Sequence, residues 1–221
     1  MSLVGFSGEA LGYGGGAVLS DLRLQLARGE RLVLLGRSGA GKTTLLNAVH
    51  DRLVADGHRV ALAPQDHALV PQLSVLRNVL MGRLDDHGAV YNLANLIWPR
   101  GADRAAVAVL LKAVGLADQI DRAVEALSGG QKQRTALARA LYRGGDVLIA
   151  DEPVSAVDGG QAAALLDLMR ARFPTAVVAL HDVTLARRFA TRLVGLGAGG
   201  IVLDGAPDRL TPAALEAVYS A

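Results

Sequence analysis

Two stretches far apart in the chain carry residue types that handle phosphate. Gly36-Arg37-Ser38-Gly39-Ala40-Gly41-Lys42-Thr43 has the glycines, lysine and hydroxyl of a phosphate loop at their required spacing. Glycines let backbone N–H groups approach an anion, and the positive end of a following helix adds to them. Lys42 can then reach the terminal phosphate oxygens, and Thr43 can offer a hydroxyl to Mg2+. A compact ammonium fits a tight cradle that a planar guanidinium does not, and Lys42 is one of few lysines in a chain whose basic residues are mostly arginine. The second stretch is Leu127-Ser128-Gly129-Gly130-Gln131. Ser followed three residues later by Gln is a capping box at a helix start. Its two glycines also leave that helix start bare enough for an anion, so both readings hold together. The first loop alone leaves kinases, GTPases and many ATPases open. A second loop able to present its backbone to a γ-phosphate implies a site shared between two chains.

Four polar features complete the chemical inventory. Asp151 closes an apolar run and is placed to hold Mg2+ through water, and Glu152 then becomes the group that orients or deprotonates an attacking water. An Asp-Glu pair in that place also reads as a helix-capping or solvated pair. Gln65 offers a neutral amide that binds Mg2+ or water and can swing away, although a glutamine there is also an ordinary loop residue. His181, taken alone, is most often a surface or core histidine.

These residues need a common edge on which to meet. The runs Arg31 to Leu35, Val60 to Ala63, Val147 to Ala150 and Ala176 to Leu180 read as buried parallel strands, and each leads into one of the polar features. In a parallel α/β sheet the carboxyl ends of the strands share one edge, where ligands bind. Helical patterns fall at 43–53, 103–114, 131–142, 161–172 and 185–190, and 193–196 with 201–204 form a hairpin across Gly197-Ala198-Gly199-Gly200. Near the start, Ser2 to Phe6 and Val18 to Leu26 read as strands of a small antiparallel sheet with Tyr13 between them.

With 221 residues the chain supports one substantial core. Its 51% hydrophobic content fits a sheet covered on both faces. No run is long enough to span a bilayer, and Met1 to Ala10 lacks the pattern of a signal peptide, so a cytoplasmic location is expected. Having no cysteine excludes disulfides, thiolate catalysis and Cys-ligated metal. The net charge of +2 is spread through helices rather than gathered in a block, so no nucleic-acid partner is expected.

The motifs and their order resemble the ATP-binding cassette (ABC) family, from Tyr13 to the hairpin. That resemblance implies an α/β P-loop NTPase fold: a parallel sheet core, a small N-terminal antiparallel β subdomain and a helical signature subdomain at about 67–143, all in one domain over 1–221. It implies a Mg-dependent ATPase with ATP and Mg2+ as cofactors. On it, Gly36 to Thr43 and Thr44 bind ATP, and Tyr13 stacks on adenine, though Gly14-Gly15-Gly16 after it also reads as a simple turn. Thr43, Gln65 and Asp151 hold Mg2+. Glu152, His181 and Gln65 are catalytic, with His181 contacting the γ-phosphate. Ser128, Gly129, Gly130 and Gln131 reach ATP in trans, as does Asp158, whose Ser155-Ala156-Val157-Asp158 segment resembles the loop that crosses the dimer interface. That segment also reads as a turn capping the helix near Gly159.

The same resemblance implies a head-to-tail dimer around two ATP molecules, seated as a peripheral subunit on transmembrane permease subunits at the inner membrane face. An extracytoplasmic binding protein is an indirect partner. The surface meeting the permease includes His67 to Asn78. Asn78-Val79-Leu80-Met81-Gly82-Arg83-Leu84, with Leu180-His181-Asp182-Val183, is most like the ATPase subunits of phosphonate importers. One departure is the 23 positions from Lys42 to Gln65, short for the family, which trims the antiparallel subdomain on the ribose side. A soluble cassette ATPase serving repair, assembly or a ribosome-linked step is the rival reading. A non-hydrolysing binder is expected to have lost Glu152 or His181, and both are present.

Overall fold

A computed structural model describes residues 2–14 and 16–220. Gly15, in the middle of the glycine turn noted above, lies outside them. Eight strands are β1 Ser2–Tyr13, β2 Gly16–Ala27, β3 Arg31–Leu35, β4 Val60–Ala63, β5 Val147–Asp151, β6 Thr175–Ala179, β7 Arg192–Gly197 and β8 Gly200–Gly205. The α-helices are α1 Lys42–Ala55, α2 Val75–Leu80, α3 Ala89–Ile97, α4 Gly101–Ala113, α5 Gly129–Arg143, α6 Gly159–Arg172, α7 Val183–Phe189 and α8 Pro212–Ser220. The chain divides into two compact units: Met1–Val60, Gly145–Glu152 and Phe173–Ala221 make the first, Ala61–Gly144 and Pro153–Arg172 the second.

The main sheet has the order β4-β5-β6-β3-β7-β8. β3 pairs in parallel with both β6 and β7, β5 with β6 likewise, and β8 closes the edge antiparallel to β7. Strands covered on both faces cannot alternate polar and apolar residues, which is why Leu32 to Leu35, Val147 to Ala150 and Ala176 to Ala179 are unbroken and buried. The stretch expected only as half of a hairpin, Leu193 to Leu196, does form one with β8 and is also a central parallel strand.

β1 and β2 form a separate two-stranded antiparallel sheet whose ladder runs from Ser2 opposite Ala27 to Tyr13 opposite Gly16. Both strands are longer than the sequence suggested, and Tyr13 ends β1 instead of lying between the strands. Val4 and Phe6 are buried, but from Ser7 onward β1 is mostly exposed, so pairing continues where alternation has faded. Between α1 and β4 only residues 56–59 intervene, and no strand is added to this sheet.

The second unit is mainly helical. Its α2 and α3, and α8 in the first unit, were not legible as helices. The segment expected as an open surface, His67 to Asn78, is corrected in part: Val75, Leu76 and Asn78 are buried. Asn78, with 0% exposure, accepts from the Val70 N–H and donates to the carbonyls of Val70, Leu73 and Ser74. A buried amide with its hydrogen bonds filled fixes the loop before α2.

Candidate functional site

β3 delivers the chain to Gly36, and the loop turns back into α1 at Gly41. Gly41 has φ 95°, and a Cβ there would lie 2.9 Å from Leu19 Cδ2, so both backbone and space demand glycine. α1 has no side-chain cap and no acid in its first turn. Its first N–H groups, which a helix cannot satisfy internally, therefore present an uncompensated positive end. Lys42 is 6% exposed and its ammonium donates to the Gly36 carbonyl at 2.8 Å and the Arg37 carbonyl at 3.0 Å. Burial pulls its pKa down, and the nearby Glu152 and Asp151 carboxylates oppose that shift.

β5 and β6 bring the remaining groups of the first unit to the same edge, since β5, β6 and β3 are neighbours about 4.8 Å apart. Thr43 Oγ1 donates to Asp151 Oδ2 at 2.6 Å. Burial raises the Asp151 pKa, partly offset by the Thr43 bond, while Glu152 adds to it. Glu152 has φ 51°, left-handed for a side chain with a Cβ, and its N–H donates to the Ala179 carbonyl at 3.1 Å. Local strain of this kind is held by surrounding structure and aims the side chain: Glu152 Oε1 meets His181 Nε2. Tyr13 is exposed, and its hydroxyl accepts from Asn47 Nδ2 of α1 at 3.2 Å.

A hydroxyl and a carboxylate oxygen are the hard donors that Mg2+ takes, and this ion commonly uses one or two protein groups with phosphate oxygens and water. Thr43 and Asp151 already converge and fit that demand.

Gln65, Ser128 to Gln131 and Asp158 belong to the second unit. Gln65 sits exposed in the turn after β4. Its neighbours His67 and Ala68 have positive φ, and Arg139 of α5 donates to both of their carbonyls. Ser128 caps α5 in a reciprocal box, accepting from the Gln131 N–H at 3.3 Å while its own N–H donates to Gln131 Oε1 at 2.9 Å. A Cβ on Gly130 would come within 2.6 Å of the Ala156 carbonyl, so glycine lets the signature-like segment lie against Ser155 to Asp158. Gln133 fastens the same pair by donating to Ser155 Oγ and accepting from the Ala156 N–H. Asp158 Oδ1 accepts from the Gln161 N–H and caps α6. Gln133 and Arg139 escaped sequence reasoning. The available signal was that polar side chains recur on the face of α5 that must be buried.

The family model for ABC transporters matches residues 19–155. A phosphite import ATP-binding protein of Stutzerimonas stutzeri is 39% identical across 94% of this chain and 83% of its own length. A phosphonates import ATP-binding protein of Cupriavidus metallidurans is 37% identical across 91% and 81%. These alignments run over 231 and 229 positions, more than the chain's 221, so the relatives carry residues with no counterpart here. Among solved structures, a dimeric ATP-binding cassette in a post-hydrolysis state bound to ADP and Pi superposes with TM-score 0.75 at 24% identity, over 90% of this chain and 95% of that one. A nucleotide-free cassette from an ABC transporter gives 0.72 at 19%, over 100% and 96%. Those two likenesses concern the fold. The chain belongs to the ABC transporter family and is one of its ATP-hydrolysing cassettes.

Proposed function

We propose that this chain drives import of a phosphonate, phosphite or related phosphorus oxyanion by binding and hydrolysing Mg-ATP. The observation that carries the hydrolytic part is the Thr43–Asp151 bond set beside the Glu152–His181 pair and Lys42 at the end of one sheet. The cargo rests on the relatives, whose names specify phosphite and phosphonates import.

In this reading the loop N–H groups and Lys42 hold the phosphates of ATP. Thr43 and Asp151 would hold Mg2+, which would supply positive charge to offset that of the phosphates. Glu152 takes the proton of the attacking water, and His181 keeps that carboxylate aimed and stands where charge develops. Gly129 and Gly130 of a second copy supply N–H groups from the other side, so the working form is a dimer. Among the described residues no helix is long and apolar enough to cross a membrane. The import role named for its relatives supports a peripheral subunit on membrane-spanning permease partners at the cytoplasmic face.

Replacing Glu152 by Gln tests the mechanism. Mg-ATP affinity should stay within about twofold and a nucleotide-bound dimer should accumulate, while turnover falls by about a hundredfold or more, the scale of a lost general base. Near-normal turnover removes Glu152 from this role. For the cargo, the tagged chain is recovered from detergent-solubilised membranes of its host and its companions are identified by mass spectrometry. A multi-span protein at near-stoichiometric yield supports import, and recovery with soluble proteins alone overturns it.

A further inference from the structure

Outside the groups already assigned, one side chain of the first unit reaches the main chain of His181. α8 lies along β7 with Leu215 and Val218 buried, and a Cβ on Gly195 of β7 would come within 2.6 Å of Val218 Cγ2. That close approach sets the next residue, Tyr219, over the strand ends. Its hydroxyl donates to the His181 carbonyl at 3.2 Å. The backbone of Gly36, the first residue of the phosphate loop, is near enough to the phenol to favour its charged form. Burial raises the phenol pKa, the Gly36 backbone opposes that, and the Asp182 carboxylate adds to it, so the hydroxyl keeps the proton it donates.

His181 needs such an anchor. The Leu180 N–H before it is tied to the Leu34 carbonyl, and Asp182 after it caps α7 through the Leu185 N–H at 2.9 Å. The peptide between those ties carries the imidazole that meets Glu152. An untethered carbonyl lets that peptide rotate and swings the ring with it. We propose that Tyr219 is a positioning residue for ATP hydrolysis, its hydroxyl fixing the His181 main chain so that the imidazole holds Glu152 in the attacking geometry. This rests on the hydrolytic reading of the site given above.

The test uses the full chain carrying Tyr219→Phe or Tyr219→Ala. The measurements are kcat and KM for Mg-ATP, nucleotide affinity by titration and the melting midpoint. Phe keeps the ring that packs α8 and removes only the hydroxyl. It should leave the midpoint and KM close to wild type and lower kcat about three- to tenfold, the range that one neutral hydrogen bond supports. Ala should lower kcat at least as far and also lower the midpoint. If Phe turns over at the wild-type rate while Ala is impaired, Tyr219 only packs and the proposal falls. It falls equally if Phe raises KM with kcat unchanged, which places the hydroxyl in binding through Gly36. The Glu152→Gln chain, measured alongside, separates the two readings: its normal turnover removes the hydrolytic assignment, whatever Tyr219→Phe does.

Discussion

α1 and α5 both start beside glycine with no acidic residue in the first turn, yet their starts are built in opposite ways. α1 begins after Gly41 with no side-chain cap, and a buried lysine is its first residue. α5 begins after Ser128, and the box with Gln131 satisfies one N–H at each end of the first turn. An uncapped start is costly unless an anion fills it, so α1 is shaped for a ligand that arrives at the chain by itself. α5 is complete without one. The N–H groups of Gly129 and Gly130 take no part in that box, and on the proposed reading they add to a phosphate that another copy has already bound. On the proposed reading, the contrast separates a site that captures nucleotide from one that senses it.

The largest expected effect comes from breaking the capturing end. Lys42→Ala removes a charged donor from the phosphates and should weaken Mg-ATP binding about a hundredfold, the upper range for hydrogen bonds to charged groups. Burial disfavours the charged lysine, so the nucleotide-free melting midpoint should hold or rise. Titration calorimetry paired with thermal melting checks this, and a fall in both would mean that Lys42 is chiefly structural.

The sensing end should break differently. Ser128→Arg loses the cap, at a cost of about 1 kcal/mol, and puts a long cation over the two glycines. Monomer affinity for Mg-ATP should change by less than about twofold, whereas dimer-dependent hydrolysis should drop by at least tenfold. Loss of monomer binding would contradict a site divided between copies.

The same contrast explains what the sequence could reveal. Strand ends were readable because a strand buried on both faces must be apolar throughout, so Asp151, Glu152 and His181 stand out as abrupt interruptions. The phosphate loop was readable because its glycines answer local demands, as the positive φ of Gly41 illustrates. Contacts across long separations leave no such mark. Tyr219 reaches back 38 positions to His181, Arg139 reaches 71 to Ala68, and Gln133 meets Ser155 from another helix. Each looks like an ordinary helical polar or aromatic residue. α2, six residues long, and α3, nine, are too short for helical periodicity to assert itself. The Asn78 to Leu84 likeness to phosphonate importers also has a packing basis, because Asn78, Val79, Leu80 and Gly82 are buried and a Cβ on Gly82 would come within 2.6 Å of the Arg139 carbonyl.

The smallest effect concerns what the capturing end costs the fold. Burial raises the Asp151 pKa above its unfolded value, and Glu152 adds to the shift, while the Thr43 bond, Lys42 and His181 counter it. The native chain therefore binds this proton more tightly than the unfolded chain does. As pH climbs past the unfolded carboxylate value of about 3.9, the unfolded state releases its proton first, so this group's contribution to stability declines until the folded pKa is passed and stays lowered at neutral pH. Asp151→Asn removes the charge and keeps an oxygen that can accept from the Thr43 hydroxyl. Without nucleotide it should raise the melting midpoint near neutral pH by about 2–4 °C, equivalent to about 1 kcal/mol in a chain of this size. The gain should shrink towards zero below about pH 3, where the wild-type carboxyl is protonated in both states. Turnover should fall together with Mg2+ binding, so stability and activity move in opposite directions at one residue. A lower midpoint in Asp151→Asn at neutral pH would instead mean that the carboxylate, through Thr43 and Lys42, holds the loop together before any nucleotide binds.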